Sequence, residues 1–516
     1  MERTDTDILI VGAGLAGLVA ALGTSARRRV TVLCPSLPSS STSALAQDGI
    51  AAAVDAGDSP VLHAADTIRA GAGESLRQAV ILLCGEAQAA IAWLEAHDVC
   101  FDRADERWAL HRTAAHDRAR LLHVGGDATG AELTDALYRA LLSAPNVAFL
   151  SGLTAVSLIR DTVGVSGVIA VGSNGRAYAL RANDTVLATG GLGQLYLSTS
   201  NPASACGDGL AMALRAGARL KALEFVQFHP TALTCAVDPL PLVPEALRGA
   251  GAALIGEDGE RIMLDVHAAG DLAPRDIVAR AVWAHVSHGH RVWLDAREFM
   301  SADKGAFPQT RATCLTHGID PAHDLIPVIP AAHFHMGGVA VSVDGRSSLP
   351  GLWACGEVAC SGVHGANHLG GNSLLEAVVL GRRLGAALSL QRGWPRPSLV
   401  SPDTRPDEAA LQLDPEVWAA LRHLMWKRAG MVRDARGLLA GLTELAPLYR
   451  RAAREHILLR GRLSLARALL TAAWQRKTSC GAHLRTDSPL QTVDSPKVAP
   501  LPGSNRKSDT TVVSLQ

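Results

Sequence analysis

The stretch Asp7 to Gly17, DILIVGAGLAG, decides the fold. Its first part, up to Val11, is a mostly apolar run typical of a strand that is buried on both faces. The glycines that follow allow a tight turn and a close approach of the backbone to a ligand, and a helical stretch then runs to about Thr24. A strand, a GxGxxG turn and a helix in this order predict a dinucleotide site in which the helix N-terminus faces a pyrophosphate.

The segment after this unit predicts a second strand and a ligand-binding loop. Arg29 to Leu33, RVTVL, has the strand pattern, but no Glu or Asp stands at its end to bind ribose hydroxyls. A Ser/Thr-rich loop from Ser39 to Ser43 comes next and is closed by AQDG, Ala46 to Gly49. The loop offers hydroxyl and backbone donors to a phosphate or a flavin, although such loops are also common as solvated turns.

Later segments repeat the strand-to-glycine pattern. Thr185 to Ala188 predicts a buried strand that ends in a Gly pair, and Leu352 to Glu357 predicts another that ends in glycine and an acid. Val147 to Val171 alternates as a small antiparallel set would, and Pro415 to Lys477 has the apolar spacing of three helices. We therefore expect an α/β chain whose sheet is completed by distant segments.

Composition limits the classes of function. The 516 residues predict two to four domains, and 49 Lys and Arg balance 49 Asp and Glu, so no overall charge attracts nucleic acid or a membrane. The nine cysteines show no CxxC and no Cys/His metal spacing, which predicts no metal site and a reducing, cytoplasmic location. No apolar stretch reaches the length of a membrane span.

Two histidine-containing stretches leave alternatives open. In EFVQFHPT, Glu224 to Thr231, three polar residues alternate on one face of an extended segment and His229 precedes a proline. That histidine is either satisfied by a backbone carbonyl or part of a site. The stretch from Leu110 to Gly130 holds three histidines among three arginines and is either an exposed basic loop or the lining of an anionic site.

The motifs together resemble one family. In chain order they are GAGLAG, AQDG, GGDATG, LATGG, GDG, EFVQFHPTAL, EALRG, LAPRDIVAR, PAAHFHMGG, CGEV and HGANHLGGNSLLE. This set, from Asp5 to about Asp487, resembles the flavoprotein family of succinate dehydrogenase, fumarate reductase and L-aspartate oxidase. LAPRDIVAR, the His123 before GGDATG, and LMWKRAGMVRD from Leu424 to Asp434 are most similar to the L-aspartate oxidase branch.

The resemblance implies an α/β fold in which a Rossmann-type FAD-binding domain carries an inserted α+β capping domain and is followed by a C-terminal helical domain. The implied boundaries are 1–221 and 336–394 for the FAD-binding domain, 222–335 for the capping domain, 395–410 for a linker, 411–487 for the helical domain and 488–516 for a disordered tail. The resemblance also implies that FAD is bound non-covalently, since Thr42 stands about where covalent members carry a His. The implied FAD-binding residues are Gly12, Ala13, Gly14, Leu15, Ala16, Gly17, Thr42, Ser43, Gln47, Asp48, Gly49, Asp208, Glu357, Ser373 and Leu374.

The resemblance further implies the catalytic residues. Arg275 is the acid/base arginine and also binds an anion, and the carboxylates of the substrate are held by His229, His333 and Arg248. Arginine suits this role because it binds carboxylates with two hydrogen bonds. Thr113, Glu245 and His368 are the implied substrate-binding positions.

Several positions depart from the family pattern, and most of them concern the substrate. HGANR is HGANH here, so His368 replaces an Arg that binds a carboxylate; losing such a contact costs about 2–4 kcal/mol. TREGGH becomes HRTAAH, which puts Thr113 in place of the Glu that binds the substrate amino group. TEALRGEG begins with Pro244 and loses its second Glu, AQGG gains Asp48, and KESRGAH is KTSCGAH from Lys477.

Three hypotheses follow. The first is FAD-dependent oxidation of L-aspartate to iminosuccinate, with O2 (giving H2O2) or fumarate as acceptor, which feeds quinolinate and NAD synthesis and makes quinolinate synthase a candidate partner. The second is a soluble fumarate-reductase-like or succinate-dehydrogenase-like enzyme that acts on a related dicarboxylate. The third is a catalytically weakened flavin-binding paralogue; retention of Arg275, His229 and His333 argues against it.

Overall fold

The computed structural model describes residues 2–24, 26–302, 305, 307–391, 408–488 and 512–513. The helices in this part of the chain are α1 (Leu15–Leu22), α2 (Pro60–Ala70), α3 (Arg77–Gly85), α4 (Ala87–Glu95), α5 (Thr129–Leu142), α6 (Asp208–Arg215), α7 (Glu245–Gly249), α8 (Arg275–Val286), α9 (Arg297–Ala302), α10 (Pro308–Thr316), α11 (Asn372–Leu390), α12 (Pro415–Ala429), α13 (Ala435–Arg451) and α14 (Ile457–Gln475).

The strands are β1 (Glu2–Val11), β2 (Val30–Cys34), β3 (Ile50–Ala51), β4 (Arg103–Ala104), β5 (Arg107–Trp108), β6 (Leu110–His111), β7 (Leu121–Leu122), β8 (Val147–Ser151), β9 (Leu153–Arg160), β10 (Val165–Gly172), β11 (Ala177–Leu187), β12 (Leu220–Lys221), β13 (Val226–Leu233), β14 (Ala253–Ile255), β15 (Trp293–Asp295), β16 (Ile326–His335), β17 (Gly338–Ala340), β18 (Leu352–Ala354), β19 (Ala359–Cys360), β20 (Val432–Arg433), β21 (Leu484–Arg485) and β22 (Val512–Val513).

The main sheet contains the strands on which the glycine-rich turns are built. Its parallel part has the order β8-β2-β1-β11, and β18 lies beside the C-terminal end of β11. Strands β10 and β9 continue the sheet in antiparallel fashion from the N-terminal half of β11. The turns after β1, β11 and β18 therefore meet at one edge, where open α/β sheets bind their ligands.

The side chains of β1 point alternately into two cores. Ile8 and Ile10 pack with α1, α5 and α11 on one face, whereas Leu9 and Val11 pack with α6 and the C-terminal helices on the other. All four are at most 5% exposed. Each such side chain contributes about 1.5–3 kcal/mol by leaving water, so the strand is fixed between two layers. The prediction of a strand buried on both faces is confirmed.

The prediction for Val147 to Val171 is partly wrong. Strands β9 and β10 pair in antiparallel fashion, but β8 pairs in parallel with β2 and forms the outer edge of the main sheet. The alternating sequence does not distinguish the two arrangements. Helix α5 precedes β8, and a helical crossover returns the chain parallel to the strand beside it.

A second, antiparallel sheet is inserted between β12 and β17. Its order is β13-β16-β15-β14, and α8 packs against β13 and β16. It has a core of its own, in which Val278 and Val282 of α8 contact Leu233, Leu254 and Leu294 of the strands. This packing places the N-terminus of α8 beside the main sheet.

The C-terminal region forms the three helices expected from its spacing. Helices α12, α13 and α14 pack on one another, and α14 also packs on α6. Asp414 and Asp434 cap α12 and α13 by accepting hydrogen bonds from backbone N–H groups of the first turns. Together, α12, α13 and α14 cover the face of the main sheet that is opposite α1.

The predicted domain boundaries stay a prediction. Positions 395–407 of the predicted linker lie outside the described residues. So does the predicted disordered tail, apart from Ser488 and the short strand Val512–Val513, which pairs with Leu220–Lys221. Among the described residues, none of the helices has the length and apolarity needed to cross a bilayer.

All nine cysteines are free thiols. Cys100 is exposed and Cys235 is partly buried, whereas the other seven are buried. Burial is the main cause that raises the pKa of each of those seven thiols, to about 11 for Cys34 and Cys314 and to about 12 for Cys84, Cys206, Cys355, Cys360 and Cys480.

Candidate active site

A cavity of about 490 Å3 lies at the edge of the main sheet where the glycine-rich turns meet. Gly12 has a φ of +113°, and a Cβ there would lie 2.1 Å from the carbonyl oxygen of Ala188. A Cβ on Gly17 would lie 2.1 Å from the oxygen of Gly12. The turn is therefore packed directly onto the end of β11, and the N-terminus of α1 opens into the cavity.

Most of the predicted cofactor residues line this cavity. They are Gly12, Ala13, Gly14, Ala16, Thr42, Ser43, Gln47, Asp208, Glu357, Ser373 and Leu374. Leu15 and Gly17 lie beneath it, because they pack α1 onto the sheet, and Gly49 lies against His123. Asp48 instead turns toward Arg275. The assignment of individual residues to the cofactor stays a prediction.

The cavity fits a group that carries phosphates and hydroxyls. Oε1 of Gln47 and Oγ1 of Thr189 line it and are buried without a hydrogen-bond partner among the described residues. Gly14 is the N-cap of helix α1 and gives it no side-chain cap, and the N–H of Leu15 donates to Oγ of Ser43 at 3.1 Å, so the positive end of this helix and the Ser/Thr loop together form a site suited to an anion. Burial raises the pKa of Glu357 to about 8, although this side chain also faces the cavity. These groups match the phosphates and hydroxyls of FAD.

A buried charged cluster lies between the inserted sheet and the main sheet. Arg275, the first residue of α8, donates from Nε to Oε2 of Glu245 at 2.6 Å and from Nη2 to Oδ2 of Asp48 at 2.5 Å. Its Nη1 is buried and has no partner among the described residues. Two carboxylates thus orient the guanidinium and leave one edge of it available.

Helix α7 supplies the second half of this cluster. Arg248 follows Glu245 by one turn and donates from Nη2 to Oε1 of Glu245 at 3.2 Å, and from Nη1 to the carbonyl of Asp271. Burial alone would raise the pKa of Glu245, but the charges of Arg275 and Arg248 outweigh it and lower that pKa. Glu245 is therefore an anion between two cations, and it joins Arg275 to Arg248.

His229 and His333 stand on the paired strands β13 and β16, with ring centroids 5.0 Å apart. Nδ1 of His229 accepts from the backbone N–H of Thr231 at 3.3 Å. Burial, followed by the charge of Arg275, lowers the pKa of His229 well below its usual value and that of His333 to about 3. A neutral His229 that accepts at Nδ1 carries its proton on Nε2, which is buried without a partner among the described residues. It is thus a donor directed into the site.

His333 links this cluster to the cavity. Its side chain lines the cavity, and Oγ of Ser200 lies 2.9 Å from its Nδ1. The charged cluster and the cavity therefore form one continuous site.

His368 is a neutral aromatic residue in this site. Its ring stacks on Phe334 at 4.5 Å between centroids and meets the edge of His364 at 4.8 Å. Both ring nitrogens are buried without partners among the described residues. Burial, followed by the electrostatic effect of His364, lowers the pKa of His368 well below its usual value. Gln227 fixes the loop by donating to the carbonyl of His368 at 2.8 Å.

The stretch from Leu110 to Gly130 has both exposed and buried parts. His111 and Arg112 are exposed, but Arg120 is fully buried and bound to Asp58 and Asp66. Nη1 of Arg120 lies 2.9 Å from Nδ1 of His116, whose Nε2 lies 2.9 Å from the carbonyl oxygen of Gly370.

Thr113 lies beside this buried network. Its Oγ1 is buried without a partner among the described residues. A Cβ on Gly370 would lie 3.1 Å from Nη2 of Arg275 and 3.7 Å from Cγ2 of Thr113. Thr113 is therefore close to the charged cluster, and its role in binding the substrate stays a prediction.

Sequence reasoning missed several residues that hold the site together. Ser200 positions His333 and has no motif around it. Asp127 lies in GGDATG and accepts from the backbone N–H groups of Gln309 and Thr310 at the start of α10, at 3.0 and 2.9 Å. Arg462 of α14 binds both oxygens of Asp208 at 2.8 Å. Each contact joins segments far apart in the chain.

The family models agree with this architecture. The model for the FAD-binding domain matches residues 7–374, and the model for the fumarate reductase flavoprotein C-terminal region matches residues 454–497. Among solved structures, E. coli quinol fumarate reductase superposes with a TM-score of 0.87 at 26% identity, over 96% of this chain and 94% of that chain. Mycobacterium smegmatis Sdh1 superposes at 0.81 and 31% identity, over 95% and 90%. The fold and the site thus define an FAD-dependent flavoprotein oxidoreductase, and the fold class and cofactor predicted from the sequence are confirmed.

Two relatives of known name show to which family within this class the chain belongs. An L-aspartate oxidase of Caulobacter vibrioides is 46% identical over 93% of each chain. That of Agrobacterium fabrum is 42% identical over 93% of this chain and 90% of its own. The chain belongs to the L-aspartate oxidase family, as its motifs predicted.

Proposed function

We propose that this chain oxidises L-aspartate to iminosuccinate with FAD, as the first step of NAD synthesis through quinolinate. The observation that carries the proposal is a set of buried donors without partners among the described residues: Nη1 of Arg275, Nε2 of His229 and Nε of Arg248. Two of the three belong to guanidinium groups that share the carboxylate of Glu245. Buried donors of this kind are costly unless an acceptor fills the space between them, and the two carboxylates of a dicarboxylic amino acid supply such acceptors.

The reaction converts the Cα–N single bond of aspartate to C=N, with loss of a proton from nitrogen and a hydride from Cα. FAD held in the cavity would supply the hydride acceptor, and O2, giving H2O2, or fumarate, giving succinate, would take the electrons. The residues of the site hold the substrate rigidly, which lowers the entropic part of the barrier. Arg275 and His229 bind carboxylate oxygens, and His333 lies where the donor set meets the cavity.

Proton transfer is supported by a row of hydrogen-bonded side chains, Arg275, Glu245 and Arg248. Glu245 accepts from Arg275 at one oxygen and from Arg248 at the other, at 2.6 and 3.2 Å. The charge of Glu245 raises the pKa of Arg275 against the opposing effect of burial, so Arg275 remains a cation while it binds the substrate. These three side chains provide a continuous path of hydrogen bonds away from the reacting atoms.

A second candidate is oxidation or reduction of a dicarboxylate that lacks the amino group, as in succinate and fumarate. The observation that favours it is Thr113, which offers a hydroxyl where the family pattern has a carboxylate for the amino group. The unpartnered donors of Arg275 and His229 suit either substrate, since both carry two carboxylates.

The test is anaerobic mixing of the purified, FAD-loaded protein with L-aspartate, succinate or N-acetylaspartate. We expect L-aspartate alone to bleach the flavin absorbance. Bleaching by succinate instead supports the second candidate. If no compound bleaches the flavin and fumarate does not reoxidise the chemically reduced protein, both candidates are wrong. The result would then support the hypothesis of a catalytically weakened paralogue.

The cellular setting is also proposed. A cytoplasmic location is supported by the nine free cysteines, because thiols persist in reducing compartments. Quinolinate synthase stays a predicted partner, since iminosuccinate must be consumed by a following enzyme.

A further inference from the structure

Asp48 brings a second carboxylate into the charged cluster. It stands in AQDG, directly after the loop that lines the cavity, and its Oδ2 accepts from Nη2 of Arg275 at 2.5 Å. The position is a Gly in the AQGG pattern of the family. The carboxylate therefore distinguishes this chain from the family pattern, and it binds Arg275, the arginine of the proposed reaction.

Asp48 differs from Glu245 in the oxygen it leaves available. Both oxygens of Glu245 are bound, one by each arginine, and its side chain is 2% exposed. Asp48 uses only Oδ2; Oδ1 has no hydrogen-bond partner among the described residues, and the side chain is 15% exposed. Of the two carboxylates bound to Arg275, Asp48 is thus the one with an oxygen that a ligand can reach.

The nearest position that the family pattern assigns to the amino group has lost its charge. Thr113 has a buried hydroxyl without a partner among the described residues, and it lies near Gly370, as Nη2 of Arg275 does. A hydroxyl binds an ammonium group, but it does not balance its charge. A substrate ammonium buried here therefore needs an anion from elsewhere in the site.

We propose that Asp48 recognises the substrate ammonium group through Oδ1 while Oδ2 orients Arg275, so that it is the specificity-determining residue for an amino dicarboxylate. This inference rests on the proposed function and names the group that selects its substrate class. A substrate with two carboxylates and an ammonium at adjacent positions then meets Arg275 and Asp48 as one complementary pair.

The charge of the site agrees with this assignment. Arg275 and Arg248 balance Glu245 and Asp48, and burial keeps His229, His333 and His368 neutral by lowering their pKa values. These four ionised side chains together carry no net charge before the substrate binds. L-aspartate adds one negative charge and succinate adds two, so a carboxylate next to the substrate favours aspartate and opposes succinate.

The test compares the binding of L-aspartate and succinate to the FAD-loaded wild type and to Asp48→Asn. Dissociation constants for both ligands are measured anaerobically by titration calorimetry of the chemically reduced protein, because its flavin accepts no further hydride from L-aspartate. We expect Asp48→Asn to weaken L-aspartate on the order of 10- to 100-fold and to leave succinate unchanged or tighter. An equal loss for both ligands would show that Asp48 only orients Arg275 and would overturn the assignment.

Two further variants keep the test decisive. Asp48→Gly repeats it with the residue of the AQGG pattern, should the Asn variant lose flavin. Thr113→Glu in the Asp48→Asn background returns a carboxylate to the neighbouring position, and we expect it to restore the preference for aspartate. If it restores neither the preference nor the affinity, the ammonium does not bind in this region.

The control is Asp55→Asn, an exposed residue on the same stretch of chain, which should leave both dissociation constants unchanged. Because binding is measured separately from turnover, failure of the proposed oxidation is distinguishable from failure of this inference. A wild type that prefers aspartate in binding but is not reduced by it contradicts only the proposed function. A wild type that is reduced by aspartate while Asp48→Asn keeps the same preference contradicts only the role of Asp48.

Discussion

Nη2 of Arg275 and Oδ2 of Asp48 lie 2.5 Å apart, although the two residues are separated by 227 positions. The contact joins the first residue of α8, in the inserted region, to the loop that lines the cavity of the main sheet. It fixes a cation at the point where the two regions meet. The placement of the proposed acid/base residue therefore depends on both regions at once.

Replacing Arg275 should separate chemistry from cofactor binding. Arg275→Gln removes the charge and the donor that faces the substrate, so we expect flavin reduction by L-aspartate to slow by about 10²- to 10⁴-fold. Bound FAD should be retained, since Arg275 does not line the cavity. Stopped-flow absorbance measures the rate. Arg280→Gln, one turn further along α8, is the control, and a similar loss there would indicate general disruption of the helix.

Restoring the family arginine at His368 should strengthen substrate binding. His368 is neutral and has two unpartnered nitrogens, whereas a guanidinium supplies two hydrogen bonds and a charge. We expect His368→Arg to lower the KM for L-aspartate by about tenfold. His368→Phe, which retains the stacking on Phe334, serves as the comparison and should not lower it. An unchanged or higher KM for His368→Arg would indicate a pocket rebuilt for another ligand.

Glu357 should make the FAD-free protein less stable as pH rises. Burial raises the pKa of Glu357 from 4.5 to about 8 in the folded chain. The folded state thus keeps a proton that the unfolded state releases, and stability that is complete below about pH 4.5 is lost as pH increases toward 8. Glu357→Gln cannot ionise, and its amide oxygen still accepts from the N–H of His335.

We therefore expect the melting temperature of Glu357→Gln to exceed that of the wild type by more at pH 8 than at pH 5. Thermal denaturation of the FAD-free proteins across this range measures the difference. A gap between the two proteins that does not change with pH would contradict a raised pKa at Glu357.

The C-terminal helices should contribute to FAD binding through one ion pair. Arg462 of α14 binds both carboxylate oxygens of Asp208, which lines the cavity. Arg462→Met leaves that carboxylate unpaired beside the site of a diphosphate. We expect the dissociation constant for FAD to rise on the order of 10- to 100-fold, with little change in the rate at saturating FAD.

The matched control for that ion pair is Arg467→Met, which changes an exposed arginine on the same helix. Titration of the FAD-free variants with FAD, followed by flavin fluorescence, gives both constants. Equal loss of affinity in the two variants would mean that α14 acts through general stability and not through Asp208.

Much of the fold could be predicted from the sequence, because the patterns that specify its strands and helices lie within short segments. The glycines of GAGLAG require a particular backbone, and the run before them must be buried, so β1 and α1 follow from eleven consecutive residues. Three helices followed from apolar spacing in the same way. The parallel pairing of β8 was not predicted, because alternation along one strand carries no information about the direction of its neighbour.

The site could be predicted only where a motif carried it. Arg275, Glu245 and His229 are identified by family resemblance, and the structure brings them together. The contact of Asp48 with Arg275 and the support of His333 by Ser200 depend on the folded geometry of distant segments. Arg120 shows the same limit, since a basic residue in a polar loop gives no sign that two aspartates bury it.

The buried cysteines have a consequence for the proposed reaction with O2, which would release H2O2 inside the protein. Peroxide attacks thiolates and not thiols, and seven of the nine cysteines have pKa values near 11 or 12 because of burial, including Cys355 in the wall of the FAD cavity. Their sulfur atoms stay protonated and therefore react slowly with peroxide. Oxidation should therefore begin outside the core, at the exposed Cys100, before it reaches the thiols of the cavity wall.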